Sequence, residues 1–157
     1  MRLYFKQRLF SWFDSYDIYD EAGQTVYTVQ GKPAWGHRLE IFDSAGIFLG
    51  RIKEEVFTFL PRFRLYSGET LVGEIRKNFT LFKPSFTLDC CGWQVSGDFW
   101  GWEYQVLDSA GGLVMTASKE LFRMTDTYVL DIVNPADALF CLMVVLAIDA
   151  EKCSGAG

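Results

Sequence analysis

Between Ala138 and Ile148 the chain runs eleven residues without a polar side chain: Ala-Leu-Phe-Cys-Leu-Met-Val-Val-Leu-Ala-Ile. Asn134, Pro135 and Asp137 stand before it, and Asp149, Glu151 and Lys152 close it. Asn is a good N-cap, Pro is favoured at the first helical position, and an acid there complements the helix dipole. A helix over 136–152 is therefore predicted. About three turns of apolar residues leave no polar face, so this helix must be buried on all sides or sit in lipid. A bilayer span needs roughly 20 apolar residues, more than this run supplies. A buried strand is the weaker alternative, because 136–152 is long for one strand.

The rest of the chain reads as β-structure. Fourteen Phe and fourteen Gly in 157 residues, with aromatics at 17%, suit strands joined by tight turns. A repeat supports this. Ile18-Tyr-Asp-Glu-Ala-Gly-Gln-Thr-Val-Tyr-Thr-Val29 resembles Ile41-Phe-Asp-Ser-Ala-Gly-Ile-Phe-Leu-Gly-Arg-Ile52 and Val106-Leu-Asp-Ser-Ala-Gly-Gly-Leu-Val-Met-Thr-Ala117. Leu65–Ile75 is a shortened copy, and Phe86–Cys90, Gly92, Trp93–Gly97 is a fifth candidate. The first four have a strand, an Asp or Ser, a Gly for positive φ, and a second strand, with the Asp able to close its turn through its side chain; the fifth has Gly92 at its turn.

About twelve strands follow, near 2–8, 16–20, 25–30, 38–43, 48–54, 56–60, 63–67, 70–77, 85–90, 93–98, 102–108 and 113–119, with another at 127–132. Phe48 and Ile52 are expected on one face with Arg51 and Lys53 on the other. Phe63 and Leu65 oppose Arg62 and Arg64, and Tyr128, Leu130 and Ile132 oppose Asp131. A barrel of eight strands is filled by its own side chains, whereas one of eleven or more has room for an axial helix. The fold class is all-β with one helix: an antiparallel closed barrel of about twelve strands threaded by the C-terminal hydrophobic helix. The runner-up is a two-sheet sandwich plugged by the helix. One domain spans 1–153, with 154–157 as a flexible tail.

Charge limits the function classes. The net charge is −5, which argues against nucleic acid as partner. Arg51–Lys83 differs, with seven basic residues against four acids, or +3, leaving −8 elsewhere. The candidate anion-binding residues are Arg51, Lys53, Arg62, Arg64, Arg76, Lys77 and Lys83, and a set of solvated strand faces is the plain alternative. Within Phe57–Tyr66, Arg62 and Arg64 share a strand face and can hold phosphate or carboxylate. Pro61 is expected to end a strand there.

No catalytic constellation emerges. His37, the only histidine, reads as a strand-edge residue rather than a catalytic base. The Asp-Ser-Ala-Gly stretches read as turns, not nucleophile elbows. Asp14, Asp17, Asp20 and Glu21 lack calcium-loop spacing, and no phosphate-cradling glycine loop exists. Cys90, Cys91, Cys141 and Cys153 contain no two-residue gap of the kind zinc and redox sites use. Trp93, Trp100 and Trp102 read as buried strand-end aromatics, with ring stacking on a ligand as the alternative. The N-terminus Met1–Lys6 reads as a strand without a secretory signal, so free thiols and a cytoplasmic location are expected. The chain reads as a non-enzymatic protein with no metal, cofactor or transmembrane segment.

The chain resembles the LURP-one-related family of the tubby C-terminal-like superfamily. The carriers are Tyr4-Phe5-Lys6-Gln7-Arg8, Tyr16–Gly23, Phe79-Thr-Leu-Phe-Lys-Pro84, Trp93-Gln-Val-Ser-Gly97, Lys119-Glu-Leu-Phe122, and Asp126-Thr-Tyr-Val129 leading into Asn134-Pro-Ala-Asp137. The resemblance covers nearly the whole chain and implies a twelve-stranded barrel around a hydrophobic helix. Superfamily relatives include tubby proteins, which bind phosphoinositide head groups, and phospholipid scramblases; plant members are linked to defence. No tubby phosphoinositide motif or scramblase calcium motif matches, so no ligand residue is carried over. Two binding functions follow: recognition of an anionic lipid head group or phosphorylated ligand, or a protein-interaction scaffold.

Overall fold

The computed structural model describes residues 1–6, 15–122 and 125–154. Gln7 and Arg8 of the N-terminal motif, Asp14 of the acidic cluster and residues 155–157 of the expected 154–157 tail lie outside the described residues, while Ser154 ends the helix. Twelve strands form: β1 (Arg2–Lys6), β2 (Ser15–Tyr19), β3 (Thr25–Lys32), β4 (Arg38–Asp43), β5 (Phe48–Glu54), β6 (Arg62–Ser67), β7 (Thr70–Lys77), β8 (Phe86–Leu88), β9 (Trp93–Asp98), β10 (Glu103–Leu107), β11 (Leu113–Phe122) and β12 (Thr125–Ile132). Each pairs antiparallel with the next, and β1 pairs with β12, closing the barrel. The β1–β2 seam is the thinnest junction, with Tyr4 opposite Tyr19 as its one register pair among the described residues.

The repeated turns use one device. Asp20, Asp43 and Asp108 each accept, through Oδ1, the backbone N–H groups two and four residues on, at 2.8–2.9 Å. Gly23, Gly46 and Gly111 follow at φ +76, +80 and +83, a conformation with little cost for glycine alone. All three turns lie at one end of the barrel, which we call the near end.

The helix enters at that near end. Asn134 Oδ1 accepts from the Ala136 N–H at 3.1 Å, a single 3-10 turn spans Pro135–Asp137, and α1 runs Ala138–Ser154. Seventeen residues carry it about 26 Å down the axis. Every side chain from Cys141 to Ala150 is buried. The barrel wall meets it with Leu3, Ile18, Val29, Ile41, Ile52, Leu65, Ile75, Leu88, Val95, Val106, Met115 and Leu130, all fully buried. Burial of each such aliphatic side chain contributes roughly 1.5–3 kcal/mol. Helix and wall therefore form one core, and neither half has another partner for its apolar surface.

An aromatic plug closes the far end, where α1 terminates. Trp102 lies 4.1 Å from Tyr128 and 5.4 Å from Phe5 between ring centroids, and Phe99 lies 5.2 Å from both Phe86 and Tyr104. Of the three tryptophans in this stretch, Trp93 and Trp102 are buried and Trp100 is exposed.

Three expectations fail, the first being burial of Trp100, whose place in the β9–β10 connection leaves it in solvent. Residues 56–60 form no strand; they are a loop in which Val56, Phe57 and Phe59 are exposed and Phe57 sits at φ +64. An apolar run without period-two alternation gave a strand signal where no neighbouring strand is free to pair. Pro61 thus precedes β6 and ends no strand. Phe48 does not share the Ile52 face. A bulge pairs Ile41 with Gly50 but Phe42 with Phe48, which turns Phe48 outward beneath the Arg51 guanidinium, 5.3 Å from its ring centroid.

Candidate functional site

The inward alternation of the core sets the outward positions of the basic residues. Leu39, Ile52, Phe63, Leu65 and Ile75 point in, so Arg38, Arg51, Lys53, Arg62, Arg64 and Arg76 point out. Register then places them side by side. Lys32 opposes Arg38, Arg38 opposes Lys53, and Lys53 opposes Arg64: one cationic row across β3, β4, β5 and β6. Closer to the far end, Arg62 opposes Arg76 on β7. Like charges directly opposed on a sheet face destabilise it.

Carboxylates answer part of this charge. Glu40 lies 2.9 Å from Arg38, 3.4 Å from Arg51 and 3.9 Å from Lys32. Arg64 is 3.0 Å from Glu55, and Glu74 is shared between Arg62 at 3.6 Å and Arg64 at 3.7 Å. Lys53, Arg76 and Lys83 have no carboxylate within 4.0 Å among the described residues.

The seven sequence candidates therefore separate. Lys53, Arg62, Arg64 and Arg76 come together on one outer face. Arg51 is on the same side but committed to Glu69 and Glu40, which raise its pKa, and its guanidinium also lies over the Tyr66 ring. Lys77 turns toward the barrel mouth and pairs with Glu151 of α1 at 2.6 Å. Lys83 stands exposed in the loop between β7 and β8. Lys32 and Arg38 belong to the row but fall outside the 51–83 charge window, and only cross-strand register shows them.

A cleft of about 390 Å³ adjoins this face, between the β5–β6 and β7–β8 loops. Arg62, Arg76 and Lys77 line it with Phe59, Pro61 and Asn78. Asn78 Nδ2 donates to Ser85 and Thr87 at 3.0 Å, which ties the second loop to β8. A second cleft of about 400 Å³ lies at the β1–β2 seam; it carries Asp20 and Glu21 and no cation among its lining residues, so it does not suit an anion.

The other candidates resolve into structure. His37 Nδ1 lies 2.7 Å from Glu54 Oε2, which also accepts the His37 backbone N–H at 2.9 Å. Burial lowers the imidazole pKa and Glu54 opposes that shift. The pair staples the β4 entry to the β5 exit. Asp17 accepts from Thr28 Oγ1 at 2.8 Å, and Asp20 closes its turn. Cys90, Cys91 and Cys141 are free, with burial pushing the Cys91 and Cys141 thiols up to about 12. Among the described residues no group of three or more His, Cys, Asp or Glu is placed to hold a metal. Nor is any helix there long and apolar enough to cross a membrane.

Sequence reasoning missed one buried group. Asp149 on α1 is almost fully buried, and its carboxyl is raised from 3.8 to about 7 by that burial, against the opposing charge of Lys152. The hydroxyls of Tyr16 and Tyr104, buried in the wall, are pushed up by burial and by the Asp149 charge. Its place at the end of an apolar run made it read as a helix stop.

A closed antiparallel meander threaded by its own terminal helix, with basic residues on the outer wall, defines a barrel built around a core helix. The chain belongs to the LURP-one-related family, which it matches over residues 1–149. It is 32% identical to the Bacillus subtilis (strain 168) protein YxjI over 150 residues, covering 95% of this chain and 92% of that one. A solved structure of an Arabidopsis thaliana protein shares the fold, with a TM-score of 0.61 at 14% identity over 94% of this chain and 90% of that one.

Proposed function

We propose that the protein is a non-enzymatic binding module whose outer basic face recognises an anion, either the head group of an anionic lipid or a phosphorylated ligand. The observation that supports this reading is the cationic row Lys32–Arg38–Lys53–Arg64 with Arg62 opposite Arg76 beside it. Like-charge opposition costs stability at each step, and a phosphate bridging two cations reverses that cost. Arginine forks bind phosphate oxygens in pairs, and Lys53 and Arg76 have no competing carboxylate among the described residues.

The test is calorimetric titration with inositol hexakisphosphate, together with co-sedimentation on vesicles of phosphatidylcholine with and without phosphatidylserine, at low and physiological salt. Salt-sensitive binding that is lost in the Lys53→Ala/Arg76→Ala variant supports the reading. Binding that is unchanged in that variant, or no binding to either probe, overturns it. A module that recognises only a protein partner is the reading that would then replace it.

A further inference from the structure

Exposed large apolar side chains are concentrated at the far end of the barrel. Connections β3–β4, β5–β6, β7–β8 and β9–β10 all lie at that end, as neighbours around the rim. They carry Trp35, Phe57, Phe59, Phe79, Phe82 and Trp100, every one exposed. Phe57, Phe59 and Phe82 are exposed to 98%, 92% and 94%. Exposed large apolar side chains clustered at one end of a barrel mark an interaction site.

Phe57 adds an independent sign. It holds φ +64, an unfavourable conformation for a bulky residue. No burial within the chain offsets that cost, since the ring is almost wholly in solvent.

We infer that this rim inserts into the interfacial layer of an anionic membrane while the basic face lies against the lipid head groups. The inference rests on the anion-binding reading and names its source as a lipid surface. Charge complementarity selects this occupant. The β5–β6 and β7–β8 loops, which carry most of the exposed rings, flank the cleft lined by Arg62 and Arg76, with Lys83 in the second loop. Rings at the acyl boundary with cations at head-group level form the pattern of an interfacial anchor. The rings also stand on separate loops. A bilayer accepts separate protrusions, whereas a protein partner must match them with pockets.

The test uses the full chain and vesicles of phosphatidylcholine and phosphatidylserine whose acyl chains carry bromine. Insertion predicts quenching of tryptophan fluorescence that shrinks in the Trp35→Phe/Trp100→Phe variant. It also predicts that Phe57→Ser/Phe59→Ser/Phe79→Ser/Phe82→Ser weakens vesicle partitioning by roughly a hundredfold or more at an unchanged melting temperature. Anionic-vesicle binding without quenching, undiminished in the serine variant, overturns insertion and leaves the anion reading standing. So does binding of inositol hexakisphosphate without vesicle binding. Partitioning that depends on the rings but not on Lys53 and Arg76 supports insertion and overturns the anion reading.

Discussion

Gly50 of β5 faces Met143 of α1 so closely that a Cβ at position 50 would lie 2.6 Å from the methionine methyl. It would also collide with the Tyr66 carbonyl oxygen across the β5–β6 pair. Met143 can swing away; the backbone carbonyl cannot. The missing side chain lets the helix approach the wall. Gly50→Ala should therefore cost about 1–3 kcal/mol, read as a lowered urea midpoint. Gly46→Ala would be costly for another reason: nothing lies near its added Cβ, but its φ of +80 disfavours one.

The helix is the core of the barrel, so a charge within it has no solvent to reach. Leu142 is fully buried. Leu142→Asp should abolish folding, because an unpaired buried charge costs several kcal/mol. A circular-dichroism melt that kept the wild-type midpoint would contradict the threaded arrangement.

Asp149 gives stability a dependence on pH. Its folded carboxyl titrates near 7, whereas an unfolded Asp titrates near 3.9. Between those values the folded chain holds a proton that the unfolded chain has released, so this group's contribution falls as pH rises and levels off above about 7. Tyr16 and Tyr104 from the wall and Lys152 from the helix are the groups that share its electrostatics. Asp149→Asn should remove the slope and be more stable than wild type at pH 8, by on the order of a few kcal/mol. Denaturant titrations at pH 5 and pH 8 measure the difference.

The Asp-x-x-Gly turns are local and should act locally. Asp43→Ala removes the two hydrogen bonds that its carboxylate accepts from the Ala45 and Ile47 N–H groups at an exposed turn and should cost about 1 kcal/mol. Amide exchange should accelerate at Ala45 and Ile47 and stay slow at Ile52.

Legibility tracked how local each signal is. The turns were readable because one Asp and one Gly at fixed spacing suffice to make them. The helix was readable because eleven apolar residues admit few environments. The phantom strand at 56–60 arose because an apolar run is ambiguous until its exposure is known. Phe48 was misplaced because a bulge adds a residue that leaves no mark on the alternation before it. The cationic row depends on register between strands, so Lys32 and Arg38 could not be joined to Lys53 and Arg64 by their spacing along the chain. Lys77 looked like its basic neighbours until its partner Glu151, 74 positions away, was placed beside it.

Mapping the anion is the most direct test of the basic face as a binding site. Backbone amide shifts of isotope-labelled protein would be followed during titration with inositol hexakisphosphate. The account predicts perturbations centred on Arg38, Lys53, Arg62, Arg64 and Arg76, with the near-end turns at Asp20, Asp43 and Asp108 unmoved. Shifts confined to the near end or to the β1–β2 seam, or none at saturating probe, would contradict it.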